Sequence, residues 1–404
     1  MIKWSRSSTR DIRVRKHQRS GVALLVAITT IAILTVIVTE VTYISRMRLI
    51  TASNQRDRVQ AYWLAKSGTG LYQLILTANK QIGKNEFIQQ FGLGNSLWQM
   101  IPAINTGMMR MLMVSENSST DVKKEDIEQF KEQGTVSDKI MEESRSSGVF
   151  NDKNFLDFAG DFNAEVTDME SKIDINQLGS DGDTLQDSPT AQRLLSLMSG
   201  ADNNQWFLDR NLDRWELIGN LKDWVDADTY RSGGLGGQED ALYADEDPPY
   251  LSKNAKFDTT DEIRLVEGWN GEMYDKFRDR LTIWSKGKFN LNSFDEEMHK
   301  ALIRSAALSQ PSDASLDMCF AGSGGSVLSV WDIATFNNGK DYATFVLNNC
   351  GIELDSNKIQ NVTSVSQVFE VTSTGMVGTS TVQITTILDY SSSSVGVVKY
   401  IRIE

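Results

Sequence analysis

Carboxylates flank a glycine-rich turn in one short stretch, among them Asp226 and Asp228 before it, and Glu239, Asp240, Asp245 and Asp247 after it. Between them lie Gly233, Gly234, Gly236 and Gly237. A hard cation takes about six to eight oxygen ligands, and a bending loop can supply them from side chains and carbonyls. With no cation, so many nearby carboxylates repel one another. Ca²⁺ suits this chemistry. The stretch is not an EF-hand, because the alternating Asp pattern and its closing Glu are missing. A solvated acidic loop stays open beside the cation reading. The glycines do not make a phosphate cradle, since no strand leads in and no Gly-Lys-Ser/Thr follows. Asp181 and Asp183 read as a turn.

Other chemistry is scarce. The only histidines are His17 and His299, too few for a histidine-based triad or a zinc site with several imidazoles. No spacing supports a carboxylate hydrolase, so the chain is read as non-enzymatic. A membrane-anchored acidic metallohydrolase is kept as an alternative. Cys319 and Cys350 allow one disulfide in an oxidising compartment, with two free thiols as the other reading. The net charge of −13 argues against nucleic acid. A helix-hairpin-helix reading of 262–281 is set aside for the same reason.

The elements that carry these groups start from a membrane signal. Residues 22–39 are apolar and free of charge, and as a helix they rise roughly 27 Å, about a bilayer's hydrocarbon thickness. Residues 1–21 carry seven basic residues and one acid, so the remainder is near −19. Positive charge stays on the cytoplasmic side, which places the rest of the chain across the membrane. A secretory signal would need a small-x-small cleavage site on the far side, and none follows 39. A plain anchor leaves Gly21 unexplained. A class III prepilin signal explains it: a peptidase cuts on the cytoplasmic side after Gly21, where the absent Cβ admits close approach. The mature chain then begins at Val22 and keeps its helix.

That helix is expected to continue. No glycine lies between Gly21 and Gly68, no proline precedes Pro102, and Leu64, Gly68, Leu71, Ile75 and Ala78 recur at helical spacing. The fold class expected is α+β: a pilin-like long N-terminal helix with an antiparallel sheet head and a large helical domain inserted in the head. Its parts are a leader (1–21), a transmembrane and stalk helix (22–80) and a polar segment (81–160). A β head follows (161–180 and 289–404), interrupted by an inserted helical domain with the acidic loop (181–288). Within 81–160, the methionines at 108, 109, 111 and 113 read as core or partner contacts, and a short helix is expected at 123–134. Helices are expected at 191–198, 212–224, 261–267, 271–281 and 296–307. Strands are expected within 162–176, at 289–293, and as alternating runs at 367–375, 380–388 and 396–403.

Together these pieces resemble the general secretion pathway protein K family, the large minor pseudopilins of type II secretion systems. The resemblance is carried by Arg19 to Ala27, by residues 168–176, and by Asp223-Trp-Val-Asp-Ala-Asp228. It continues through Asp247-Pro-Pro-Tyr250, residues 262–268 and residues 287–292. It implies Ca²⁺, one ion or two, held by Asp226, Asp228, Glu239 and Asp247. It implies a single span in the inner membrane, with a cytoplasmic N-terminus and a periplasmic head. The implied partners are the minor pseudopilins I and J, other pseudopilins and prepilin peptidase. Ordinary pilins carry at mature position five a glutamate that neutralises a neighbour's N-terminal ammonium. Here that position is Val26, which suits a subunit at the fibre tip, although a valine also simply belongs in a membrane helix. A minor pilin of a type IV pilus is the runner-up.

The leader reading predicts that protein extracted from membranes begins at Val22 in cells with the peptidase and at Met1 without it. N-terminal sequencing checks this; a product starting beyond 39 would sink the reading.

Overall fold

The computed structural model describes residues 18–82, 98–99, 101, 103–109, 159–182, 184–233, 236–293, 295–321, 330–359 and 361–404. The leader residues before 18, the methionines at 111 and 113 and the expected helix at 123–134 lie outside these. The described chain opens with α1 (Gln18–Ile82), one helix of 65 residues, roughly 95 Å long. Its first half touches nothing and is exposed on all sides, as its all-round apolar sequence requires of a helix meant for lipid. Gly21, Val22 and Val26 all stand in this part.

The second half of α1 packs on a five-stranded antiparallel sheet of order β1-β2-β7-β8-β9. The strands are β1 (Ala103–Asn105), β2 (Asp161–Asp168), β7 (Val368–Val377), β8 (Ser380–Asp389) and β9 (Val397–Ile403). Gly378, at φ +57°, turns β7 into β8. The buried stripe of α1 is Ala61, Ala65, Gly68, Tyr72, Leu76 and Asn79. It lies about one residue round from the expected stripe, so Leu64, Leu71 and Ile75 flank the contact and do not centre it. The reason is backbone proximity. A Cβ on Gly375 would stand 2.0 Å from the Ala61 carbonyl oxygen, and one on Gly68 would be 2.9 Å from the Phe162 ring. Small residues on both sides let helix and sheet close. Tyr72 can then be buried because its hydroxyl donates to the Ile101 carbonyl at 2.9 Å.

Between β2 and β7 the chain leaves the sheet and builds a helical body. Two short parallel pairs frame it: β3 (Ile173–Asp174) with β4 (Leu281–Thr282), and β5 (Phe289–Asn290) with β6 (Val362–Thr363). Its helices are α2 (Pro189–Leu197), α3 (Ala201–Asp209), α4 (Arg214–Val225), α5 (Gly271–Phe277), α6 (Glu296–Ala306), α7 (Asp313–Cys319), α8 (Val330–Ile333) and α9 (Gly339–Cys350). Caps set several starts: Ser188 before Pro189 on α2, Asp213 on α4, Asp295 on α6 and Asn338 on α9. Thr260–Leu265, expected as a helix, is a 3₁₀ run. The buried core of this body runs from Ile173 to Ile359. Thus α6 to α9 pack with the helices before them, and the body continues well past 288. A helix as short as α7, with only Leu316 buried, carries too little periodic signal to be separated from loop.

Both chain crossings between body and sheet are tied by buried carboxylates. Asp168 accepts hydrogen bonds from the Ser366 hydroxyl and from Asn290 Nδ2 at 2.9 Å, and Glu170 accepts from the Gln367 N–H. Burial raises the Glu170 carboxyl to about 7, with the charges of Asp168 and Asp389 adding to it.

The close approach predicts that Gly375→Val destabilises the head by about 1–3 kcal/mol, whereas Gly70→Ala, whose added methyl meets open space, is neutral or stabilising. Denaturant unfolding of the full chain in detergent tests both. An unchanged midpoint for Gly375→Val would contradict the packing.

Candidate metal centre

Helix α4 brings the first acids into place. Its inner face is buried at Leu217, Ile218, Leu221 and Trp224. Trp224 is clamped edge-on by Tyr243 at 5.4 Å and stacked by Phe257 at 6.3 Å. Its indole N–H donates to Glu262 at 3.3 Å, and Glu262 also pairs with Lys253 at 2.7 Å. This fixes the helix end, where Asp226 is the C-cap. The loop then turns back through Gly233, Gly236 and Gly237, all at positive φ, where a glycine costs least. Residues 234 and 235 lie outside the described residues. The bridge between Tyr230 and Gln238 and the bond from Glu239 N–H to the Thr229 carbonyl (3.3 Å) close the loop.

Closure brings together Asp226, Asp228 and Glu239, with one carboxylate oxygen from each within 4.8 Å of the other two. Glu239 is only 1 % exposed, and neither of its oxygens has a hydrogen-bond partner among the described residues. Asp226 Oδ1 and Asp223 Oδ2 are likewise buried and unbonded. Burial raises the Glu239 carboxyl to about 8, with the charges of Asp223, Asp226 and Asp228 pushing the same way. Burial and the neighbouring Asp228 and Asp223 raise Asp226 to about 6. Buried carboxylates without partners are costly, and a cation among them supplies the missing charge and coordination. Oxygens about 2.3–2.6 Å from one Ca²⁺ lie within about 5 Å of each other, so the donor set fits such an ion.

The other acids behave differently. Asp247 is exposed and stands outside the group. Asp240 accepts from Ser252 N–H at 3.0 Å, and Asp245 is exposed. Asp223, which the sequence reading quoted but did not select, is 2 % exposed and accepts from Ser232 N–H at 2.8 Å. Its placement one helical turn before Asp226 was the available signal. Asp181 accepts from Ser188 and Thr190 at the start of α2, the part of a capping turn. His299 is buried between the Tyr342 hydroxyl (3.0 Å) and the Ser293 carbonyl (3.2 Å), and burial lowers it to about 4. Cys319 and Cys350 are joined as a disulfide between α7 and α9.

Residues 171–286, which contain the whole acidic loop, match the family model for protein K of the type II secretion system. This stretch is similar to protein K of the type II secretion system. Curated relatives called type II secretion system protein K agree. The one from Aeromonas hydrophila is 26 % identical over 153 residues, covering 36 % of this chain and 44 % of the relative. That from Klebsiella pneumoniae is 30 % identical over 120 residues, covering 29 % and 34 %. The chain therefore spans less than half the length of these relatives. A solved complex of GspK, GspI and GspJ from enterotoxigenic Escherichia coli is similar at TM-score 0.46 and 15 % identity, covering 61 % of this chain and 80 % of that one. The matched stretch includes α2 to α5 and both lips of the carboxylate cluster.

In chelator-treated protein, ionising Glu239 costs the folded state stability. That cost is absent below the ordinary carboxyl range and grows as pH rises toward 8. Glu239→Gln is therefore expected to raise the unfolding midpoint at pH 8 and to leave it nearly unchanged at pH 4.5. Equal shifts at both pH values would contradict this assignment.

Proposed function

We propose that this chain is a non-enzymatic minor pseudopilin of a type II secretion system, acting at the tip of the pseudopilus. The observation that carries the reading is the joining of two parts. A protein K domain is inserted into a sheet, and that sheet is borne on a 65-residue helix with one stretch apolar enough to cross a membrane. A helix of that build has to be buried at both ends of its length: in lipid or against other such helices below, and under its own head above. After cleavage beyond Gly21 by prepilin peptidase, the stalk waits in the inner membrane with the head in the periplasm. It associates with the minor pseudopilins I and J and other pseudopilins, and nucleates a short fibre that drives proteins through the outer membrane. Val26 leaves the stalk without the usual carboxylate near its N-terminus, which suits a subunit with none above it.

Asp226, Asp228 and Glu239 hold Ca²⁺ in this reading, and Asp223 adds negative charge beside them. The ion supplies the charge that lets these carboxylates ionise while buried. Trp224 and the Tyr230–Gln238 bridge hold the two lips of the loop at one distance.

Deleting the gene is expected to abolish export of the organism's secreted enzymes, with restoration by the full-length chain. Normal export in the deletion strain would reject the reading. Added Ca²⁺ is expected to raise the unfolding temperature of the wild-type chain, and Glu239→Gln to remove that rise. Calorimetry showing no Ca²⁺ binding at millimolar concentration would reject the metal assignment alone.

A further inference from the structure

The outer edge of β9 is an apolar feature of the head that its own fold leaves uncovered. β9 ends the sheet, and among the described residues nothing pairs with its far side. Gln383 and Glu404 exchange both main-chain bonds, at 3.0 and 2.9 Å. The register continues as Ile384↔Ile403, Thr385↔Arg402 and Thr386↔Ile401. Antiparallel alternation therefore turns the N–H and C=O of Ile401 and Ile403 outward, away from β8. Their side chains stand beside Thr386 and Ile384, on the face that carries α1. Because α1 packs on β2, β7 and β8, Ile401 and Ile403 are each left 54 % exposed, with Val398 at 45 % beside them. The opposite face of β9 is already used: Tyr400 lies on Trp284 at 5.6 Å, and Arg402 reaches Asp261 at 3.9 Å. Natural sheets usually blunt such an edge; β9 is blunted at its start, where Lys399 is the extra residue of a bulge opposite Ile387/Leu388, but no proline or bulge interrupts 400–403.

Stalk direction says what can sit there. Ala61 and Ala65 of α1 pack near Val377, and Tyr72 and Leu76 near Val371 and Phe369, so α1 runs opposite to β7. β9 runs with β7, hence toward the membrane end of α1. A second copy paired antiparallel through β9 would send its stalk away from the membrane. A second copy paired through its other edge would offer, among the described residues, β1, three residues long. We infer that β9 receives the edge strand of a different membrane-anchored subunit of the same general build. That strand runs parallel to β9, and its own stalk helix lies over Ile401 and Ile403. Parallel pairs are weaker per residue and normally have both faces covered. Here the helical body meets one face at Tyr400 and Arg402, and the partner's stalk covers the other. Seven residues of edge bury much less than the roughly 800 Å² per partner of a stable interface, so the contact forms between chains held in one membrane.

This inference rests on the pseudopilin reading and names its contact surface. The test places a photo-crosslinking residue at 401 or 403 of the full chain, in cells that carry the other pseudopilins. The residue at 208, on α3, serves as control. The expected product joins 401 or 403 to the stalk or an edge strand of another pseudopilin, mapped by mass spectrometry. The double variant Ile401→Lys, Ile403→Lys is expected to lower recovery of that subunit about tenfold. Ile401→Thr, which keeps a strand-forming residue, is expected to lower it less and serves if the double variant fails to fold. Crosslinks confined to this chain or to a second copy overturn the inference, as does wild-type recovery of the partner by a folded variant. Gene deletion that leaves export intact would instead remove the underlying reading.

Discussion

The close approach of α1 to its own sheet is the constraint on which the rest depends. One helix has to serve two solvents. Its lower half is apolar all round and exposed, whereas its upper half must bury a stripe against β2, β7 and β8. Gly68 and Gly375 permit this, since a methyl at either would meet backbone or side-chain atoms inside contact distance. Once helix and sheet close to that distance, the strand order and the direction of every strand relative to the membrane are set. The exposed helix-side residues of β9 follow from the same fact, because a single helix cannot cover five strands.

The helical body is a second, larger core attached by two neighbouring crossings. Asp168 and Glu170 bind those crossings together from one side, accepting from Ser366, Asn290 and Gln367 on the other. Body and sheet are thereby held by buried acids, and buried acids also line the lips of the acidic loop. The two sets differ in one respect. The junction acids find donors within the chain, while Glu239 and Asp226 keep oxygens without any among the described residues. That difference is what supports the proposed cation site.

How much of this was legible beforehand varied with the kind of signal. The long helix and the β7–β8–β9 meander were clear, because 3.6-residue and two-residue periodicities are strong over ten or more residues. The phase of the buried stripe on α1 was not: Leu71 and Ile75 are more apolar than Tyr72 and Asn79, yet the glycines and alanines decide which side can come close. The extent of the helical body past 288 was also hidden, since tertiary contacts decide which core a helix joins. At the site, Asp226, Asp228 and Glu239 were readable as a pattern. The sequence could not separate them from Asp247, because distance along an irregular loop does not translate into distance in space. Asp223 was passed over because its helix conceals how deeply it is buried.

The sequence by itself determined a stretch long and apolar enough to cross a membrane, the α+β class, the scarcity of histidine and the acidic loop. Each rests on composition or on local periodicity, which tertiary packing does not alter. Only the folded chain decided which acids share one small volume, which of their oxygens lack partners and which edge of the sheet stays open. Those properties arise when residues far apart in sequence, such as Trp224 with Phe257 or Ile384 with Ile403, are brought together and water is excluded between them.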